Sequence, residues 1–220
     1  MKRKDNWRIC TGASMLGCWF LLLLAGCSKG QTDEPAKDEG FNSRMKQQAY
    51  VGKTKSTLYL GGYDPLPSVE GTGSFNIDKI KGDSSTVALV VDFTTDEGFS
   101  FGIPGRQEGM SWQSIFPDAS TLIKANGEID AKIITTDKEI SWDGHLFDDK
   151  LVLDINIKYL KAEGEIPIGS ILRTRLDLLN PTASSENTTG NGCKVIVWQS
   201  RAVFNVYAGG VDLIQVPVCH

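Results

Sequence analysis

KLVLDINIKYL, residues 150–160, puts Leu151, Leu153, Ile155, Ile157 and Tyr159 at alternate positions, with Asp154, Asn156 and Lys158 between them. A period of two is the mark of a strand with one face buried; on a helix the same letters would scatter polar groups around the whole circumference. TVALVVDF, residues 86–93, repeats the pattern with Val87, Leu89, Val91 and Phe93 on one face. GTGSFNIDKI (71–80), GEIDAKIITT (127–136), KVIVWQS (194–200) and RAVFNVYAG (201–209) are further strand candidates, rich in branched and aromatic residues. Turn signals separate them at Lys81-Gly82-Asp83, Asn126-Gly127, Phe147 to Lys150 and Gly190-Asn191-Gly192. No segment shows a long helical period, and MSWQSIF (110–116) reads as one helical turn. From Ala49 to His220 the expectation is therefore one all-β domain of about ten strands, a single antiparallel barrel or a β-sandwich.

The front of the chain follows other rules. Lys2, Arg3, Lys4 and Arg8 form a positive leader, Met15 to Ala25 an apolar run, and Ala25 and Gly26 lead into Cys27. That is the layout of an export signal over residues 1–26, and its apolar core is shorter than the ~18–20 residues of a membrane span. Leu24-Ala25-Gly26-Cys27 resembles the bacterial lipobox. The resemblance implies a diacylglycerol on the Cys27 thiol, cleavage before that residue and further acylation (palmitate among the chains) of the new amino terminus. Two or more chains anchor a protein stably where one does not.

Without residues 1–26 the chain keeps 19 basic and 26 acidic residues, a formal charge of −7. An acidic body without a basic stripe excludes nucleic acid as a partner. Residues 27–48 are polar and charge-mixed, with Phe41 as the one aromatic, and read as a lipidated terminus and flexible tether of ~25 Å reach. Ser28 after the cysteine resembles the pattern of lipoproteins passed to an outer membrane, and Asp33-Glu34 resembles a surface-export signal of Bacteroidetes lipoproteins. The implied location is the outer membrane, on its periplasmic face or at the cell surface. Cys193 and Cys219 are the two cysteines left after Cys27. In an exported protein they form a disulfide worth ~3 kcal/mol, stay as free thiols, or join His220 as soft metal ligands.

The order Tyr50-x-Gly52, Leu58-Tyr59-Leu60, GTGSFNI, TVALVVDF, Gly127-Glu128-Ile129 and GHLFDDKLVLDINIKY resembles the calycin-like, lipocalin-related β-barrel lipoproteins of Bacteroidetes. The resemblance covers residues 49–161; residues 162–220 either complete the barrel or add an outer sheet.

Signals of chemistry are sparse. There is no G-x-S-x-G, and GTGSF (71–75) lacks the second glycine. GIPGRQEG lacks the Lys-Ser/Thr of a phosphate loop. Asp143 and His145, two apart in SWDGHLFDDK (141–150), share a strand face and are weak metal candidates, although the same letters make a hairpin corner around Asp148-Asp149. The segment 96–120 carries Phe99, Phe101, Trp112 and Phe116 among glycines. Too irregular for a simple strand, it is expected to fold over a barrel mouth and line an apolar pocket, or to plug the core. Asn187-Thr188-Thr189 matches a glycosylation sequon but reads as a plain surface loop. The expected function is a non-enzymatic, lipid-anchored binding module without a cofactor, taking a small apolar ligand or a glycan. The alternative is a structural or assembly lipoprotein that binds an envelope protein and has no small-molecule pocket.

Overall fold

The computed structural model describes residues 40–61, 63–94, 98–116, 119–181, 195–205 and 210–219. Cys27 and the signal segment, Cys193, His220 and the sequon lie outside them, as does the side chain of Cys219. The elements are α1 (Phe41–Met45), β1 (Ala49–Tyr59), β2 (Val69–Lys81), β3 (Ser84–Phe93), β4 (Phe99–Glu108), β5 (Ser111–Ser114), β6 (Ala119–Ile123), β7 (Glu128–Ile134), β8 (Lys138–Leu146), β9 (Lys150–Tyr159), β10 (Ile171–Leu179), β11 (Ile196–Asn205) and β12 (Gly210–Cys219).

Strands β1 to β10 each pair antiparallel with the next, and β10 pairs with β1 from Val51↔Leu179 to Tyr59↔Ile171, closing a ten-stranded barrel. Closure removes the free edges that an open sheet would expose. KLVLDINIKY is β9, and its apolar face points inward: Leu151, Leu153, Ile155, Ile157 and Tyr159 are all buried. Up-and-down connectivity places the even-to-odd connections at one end of the barrel. These are turns at 82–83, 109–110, 124–127 and 147–149, and α1 lies among them. The longer odd-to-even connections, including 60–68 and 160–170, lie at the other, which we term the loop end.

Three differences from the sequence expectation have simple causes. Residues 40–48 are not tether throughout: α1 inserts Phe41 and Met45, four apart on one helical face, into the barrel core as a plug. MSWQSIF is a strand, not a helical turn, because β5 supplies the ring member between β4 and β6. The segment 96–120 does not fold over a mouth; the regular hairpin of β4 and β5 occupies it from Phe99 to Ser114. Local propensity in each case yields to the partner across the ladder.

The C-terminal part does both things expected of it. β10 completes the barrel, while KVIVWQS and RAVFNVYAG contribute to the single strand β11, which forms an antiparallel hairpin with β12 outside the ring. β11 meets β4 by one parallel bridge, Asn205↔Gly102. The hairpin lies against the outer face of β3, where Val203, Ile214 and Val216 bury Ala88 and Val90 in a second, smaller core. That explains why β3 is apolar at every position from Val87 to Val91: it is covered on both faces. A bulge between Asp78 and Lys81 helps seat the hairpin. Lys79 there takes a left-handed φ of 51° and reaches Asp212 at 3.2 Å. Asn76 Nδ2 donates to the Gln215 carbonyl, and the Gln215 N–H donates to Asp78, so β2 side chains clamp the outer strand.

Candidate functional site

The four aromatics singled out in the sequence divide between the two ends. Trp112 belongs to the plug end and is fully buried. Its ring lies over Gly105, where an added Cβ would sit 2.1 Å from it. Trp112 Nε1 donates to Ser85 Oγ at 2.9 Å, Ser85 donates to Asn42 Oδ1, and Asn42 Nδ2 donates to the Gly82 carbonyl. The Asn42 N–H donates in turn to Gln107 Oε1. Every polar atom that Trp112 brings inside is thus answered by α1 and its neighbours, which makes it a structural residue of the plug. Nearby, the Tyr50 hydroxyl donates to the Phe147 carbonyl, and burial pushes its pKa up to about 12.

Phe99 and Phe101 belong to the loop end and do come together. Phe93 meets Phe99 edge-on at 6.1 Å, Phe99 lies 5.4 Å from Phe101, and Phe101 meets Trp142 edge-on at 5.6 Å. This column of rings runs from the half-buried Phe93 and Phe99 inward to the buried Phe101 and Trp142. Phe93 and Trp142 were legible only as strand residues; their register, not their local sequence, makes them part of it. Trp142 Nε1 is buried and has no hydrogen-bond partner among the described residues. Phe116 is partly exposed in the β5–β6 connection.

The inward-facing apolar side chains of the described residues pack on one another. Side chains from α1 and all ten ring strands form one continuous core cluster, and Leu58, Phe93, Phe99, Ile166 and Leu172 pack on it toward the loop end. The 160–170 connection is tied down there by Lys138–Glu163 at 2.6 Å and Lys161–Asp137 at 2.6 Å. Around the same end, Tyr63, Leu66, Ile115, Phe116, Ile134 and Ile168 remain exposed, with Tyr63 at 75% and Ile168 at 65%. Gly61 N–H donates to Ser170 Oγ, so the connections bearing Tyr63 and Ile168 touch.

No family model matches this chain, and no curated protein or solved structure matches it. Geometry alone carries the functional reading. Asp143 and His145 do share the outer face of β8, since their inward neighbour Trp142 is buried. His145, however, stacks on Phe147 at 4.1 Å, and Asp148 pairs with Arg44 at 3.6 Å. Among the described residues no group of three or more His, Cys, Asp or Glu side chains could hold a metal ion. A cleft of about 160 Å³ lies between the hairpin and the barrel wall, bordered by Val51, Val90, Val216 and Val218 with the Arg201–Asp92 ion pair at its rim.

Proposed function

We propose that this protein is a non-enzymatic envelope lipoprotein of Bacteroidetes type, anchored through Cys27, that works through the outside of a solid barrel by binding an envelope protein at the loop end. One observation carries the reading: the interior is occupied by the protein's own side chains while six large apolar residues stand exposed around the loop end. Exposed apolar groups around one end favour a protein surface over water, and the outer hairpin carries a second set, Trp198, Phe204, Val211 and Leu213 among them. The geometry of attachment agrees with it. The described chain enters the barrel at the plug end through α1, so a tether from Cys27 would join the barrel at that end.

A second reading, a small apolar ligand or a glycan held at the loop end, is favoured by the unpartnered Trp142 Nε1 at the foot of the Phe93–Phe99–Phe101 column. It requires Phe99 and Phe101 to swing aside.

The test is photocrosslinking in the living cell from a photoreactive residue placed at Ile168 or Leu66, with the exposed Lys124 of the plug-end turn as the control. A discrete protein adduct from the loop-end positions and none from Lys124 supports the proposal. Adducts to lipid alone, or none at the loop end, refute it. Alkyne fatty acid labelling that survives Cys27→Ala would refute the anchor.

A further inference from the structure

The outer wall made by β9, β10 and β1 gathers cations on a chain whose formal charge is −4. Lys53, Lys55, Arg173, Arg175 and Lys158 face outward there, with Asp154, Asp177 and Glu70 as the neighbouring carboxylates. Register sets Arg175 directly opposite Lys55, an unfavourable like-charge pair in a sheet. Arg175 is answered by Asp154, with which it pairs closely, and by Asp177 at 3.7 Å. Lys55 and Arg173 are not answered: among the described residues neither has a carboxylate within ion-pair distance, although Glu70 is the cross-strand neighbour of Lys55. Arg173 instead lies 4.8 Å from the centre of the Tyr59 ring, which fixes its position without using its N–H donors.

Lys55, Arg173, Tyr59 and the Arg175–Asp154 pair line a shallow groove of about 510 Å³, with the Thr57 hydroxyl and the Asn156 amide along it. Two unpaired cations beside an aromatic ring and neutral hydrogen-bonding groups match an acidic sugar: one oxyanion for the charges, hydroxyls for Thr57 and Asn156. We propose that this groove binds the carboxylate of a uronic acid-type sugar between Lys55 and Arg173. The groove runs along the outer wall and reaches the loop end at Tyr59, and sugar binding there is read by a different measurement from any protein contact at that end.

Calorimetric titration of the purified protein with an oligogalacturonate tests it, with a neutral cello-oligosaccharide and inorganic phosphate as comparison ligands. The expected result is saturable binding of the acidic sugar that weakens with added salt and exceeds that of both comparisons. Lys55→Ala and Arg173→Ala should each weaken it about tenfold or more, as loss of a charged hydrogen bond does. Arg173→Lys should recover part of the loss, and Lys132→Ala, on a wall segment of its own, should change nothing. All three side chains are exposed, so circular dichroism of the four variants should match the parent protein. No saturable binding, equal binding of the neutral sugar, phosphate bound as tightly as the sugar, or a double variant that binds like the parent would each overturn the assignment.

Discussion

Gly105 shows how much one hydrogen atom decides. It lies on β4 against the Trp112 ring, and a Cβ there would meet the ring at 2.1 Å and the Gln113 carbonyl oxygen at 2.5 Å. Neither can retreat easily, since Trp112 is fully buried and hydrogen-bonded to Ser85. Gly105→Ala should therefore cost ~1–3 kcal/mol, the range for overpacking a core, and lower the urea midpoint accordingly. A Gly105→Ala protein as stable as the parent would mean that the ring is not held where it lies. The glycine was visible in GIPGRQEG as a punctuation mark only. Its real role, making room for a tryptophan seven residues on, depends on a hairpin that the irregular letters of 96–120 concealed.

Among the elements, the best-read ones are those with one buried face. β9 and β7 alternate strictly, and their inward residues are the ones that the period of two selects. α1 was hidden because a five-residue helix contributes two apolar side chains to an otherwise polar stretch, and no window average can register that. In the outer hairpin, two strand candidates merge into β11, and β12 was not among the candidates; an outer sheet was one of two expectations for residues 162–220, and the unbroken apolar run of β3 was the signal that could have decided for it. Its docking is partly electrostatic and so depends on pH. The hydrogen bond from Asn205, followed by Lys79, holds the Asp212 carboxyl below its ordinary range. A lowered folded-state value means that this contribution is present above pH ~4, the ordinary carboxylate value, and fades as pH falls through the lowered one. Amide exchange in β12, corrected for intrinsic rate, should accelerate on acidification more than exchange in β9. Asp212→Asn should remove most of that difference, and equal acceleration of the two strands would contradict it.

For the molecule as a whole, inside and outside have separate tasks. Apolar residues face inward and charged ones outward around the ring, the reverse of a barrel whose wall faces lipid. The fold class and the ring were legible because both follow from alternation and turn residues. The candidate site was legible only in part: Phe99 and Phe101 are neighbours as their spacing suggests, but Trp112 lies with α1 at the other end. Which end an aromatic serves is a matter of barrel register, and register is written in no single segment. The central claim is that the interior is a finished core and that binding happens outside it. Titration with a fluorescent fatty acid, followed by probe and tryptophan emission, measures this most directly. The account predicts no saturable uptake and unchanged tryptophan emission. One probe bound per chain, with tryptophan quenching that Phe101→Ala alters, would contradict it and place the binding site inside the barrel.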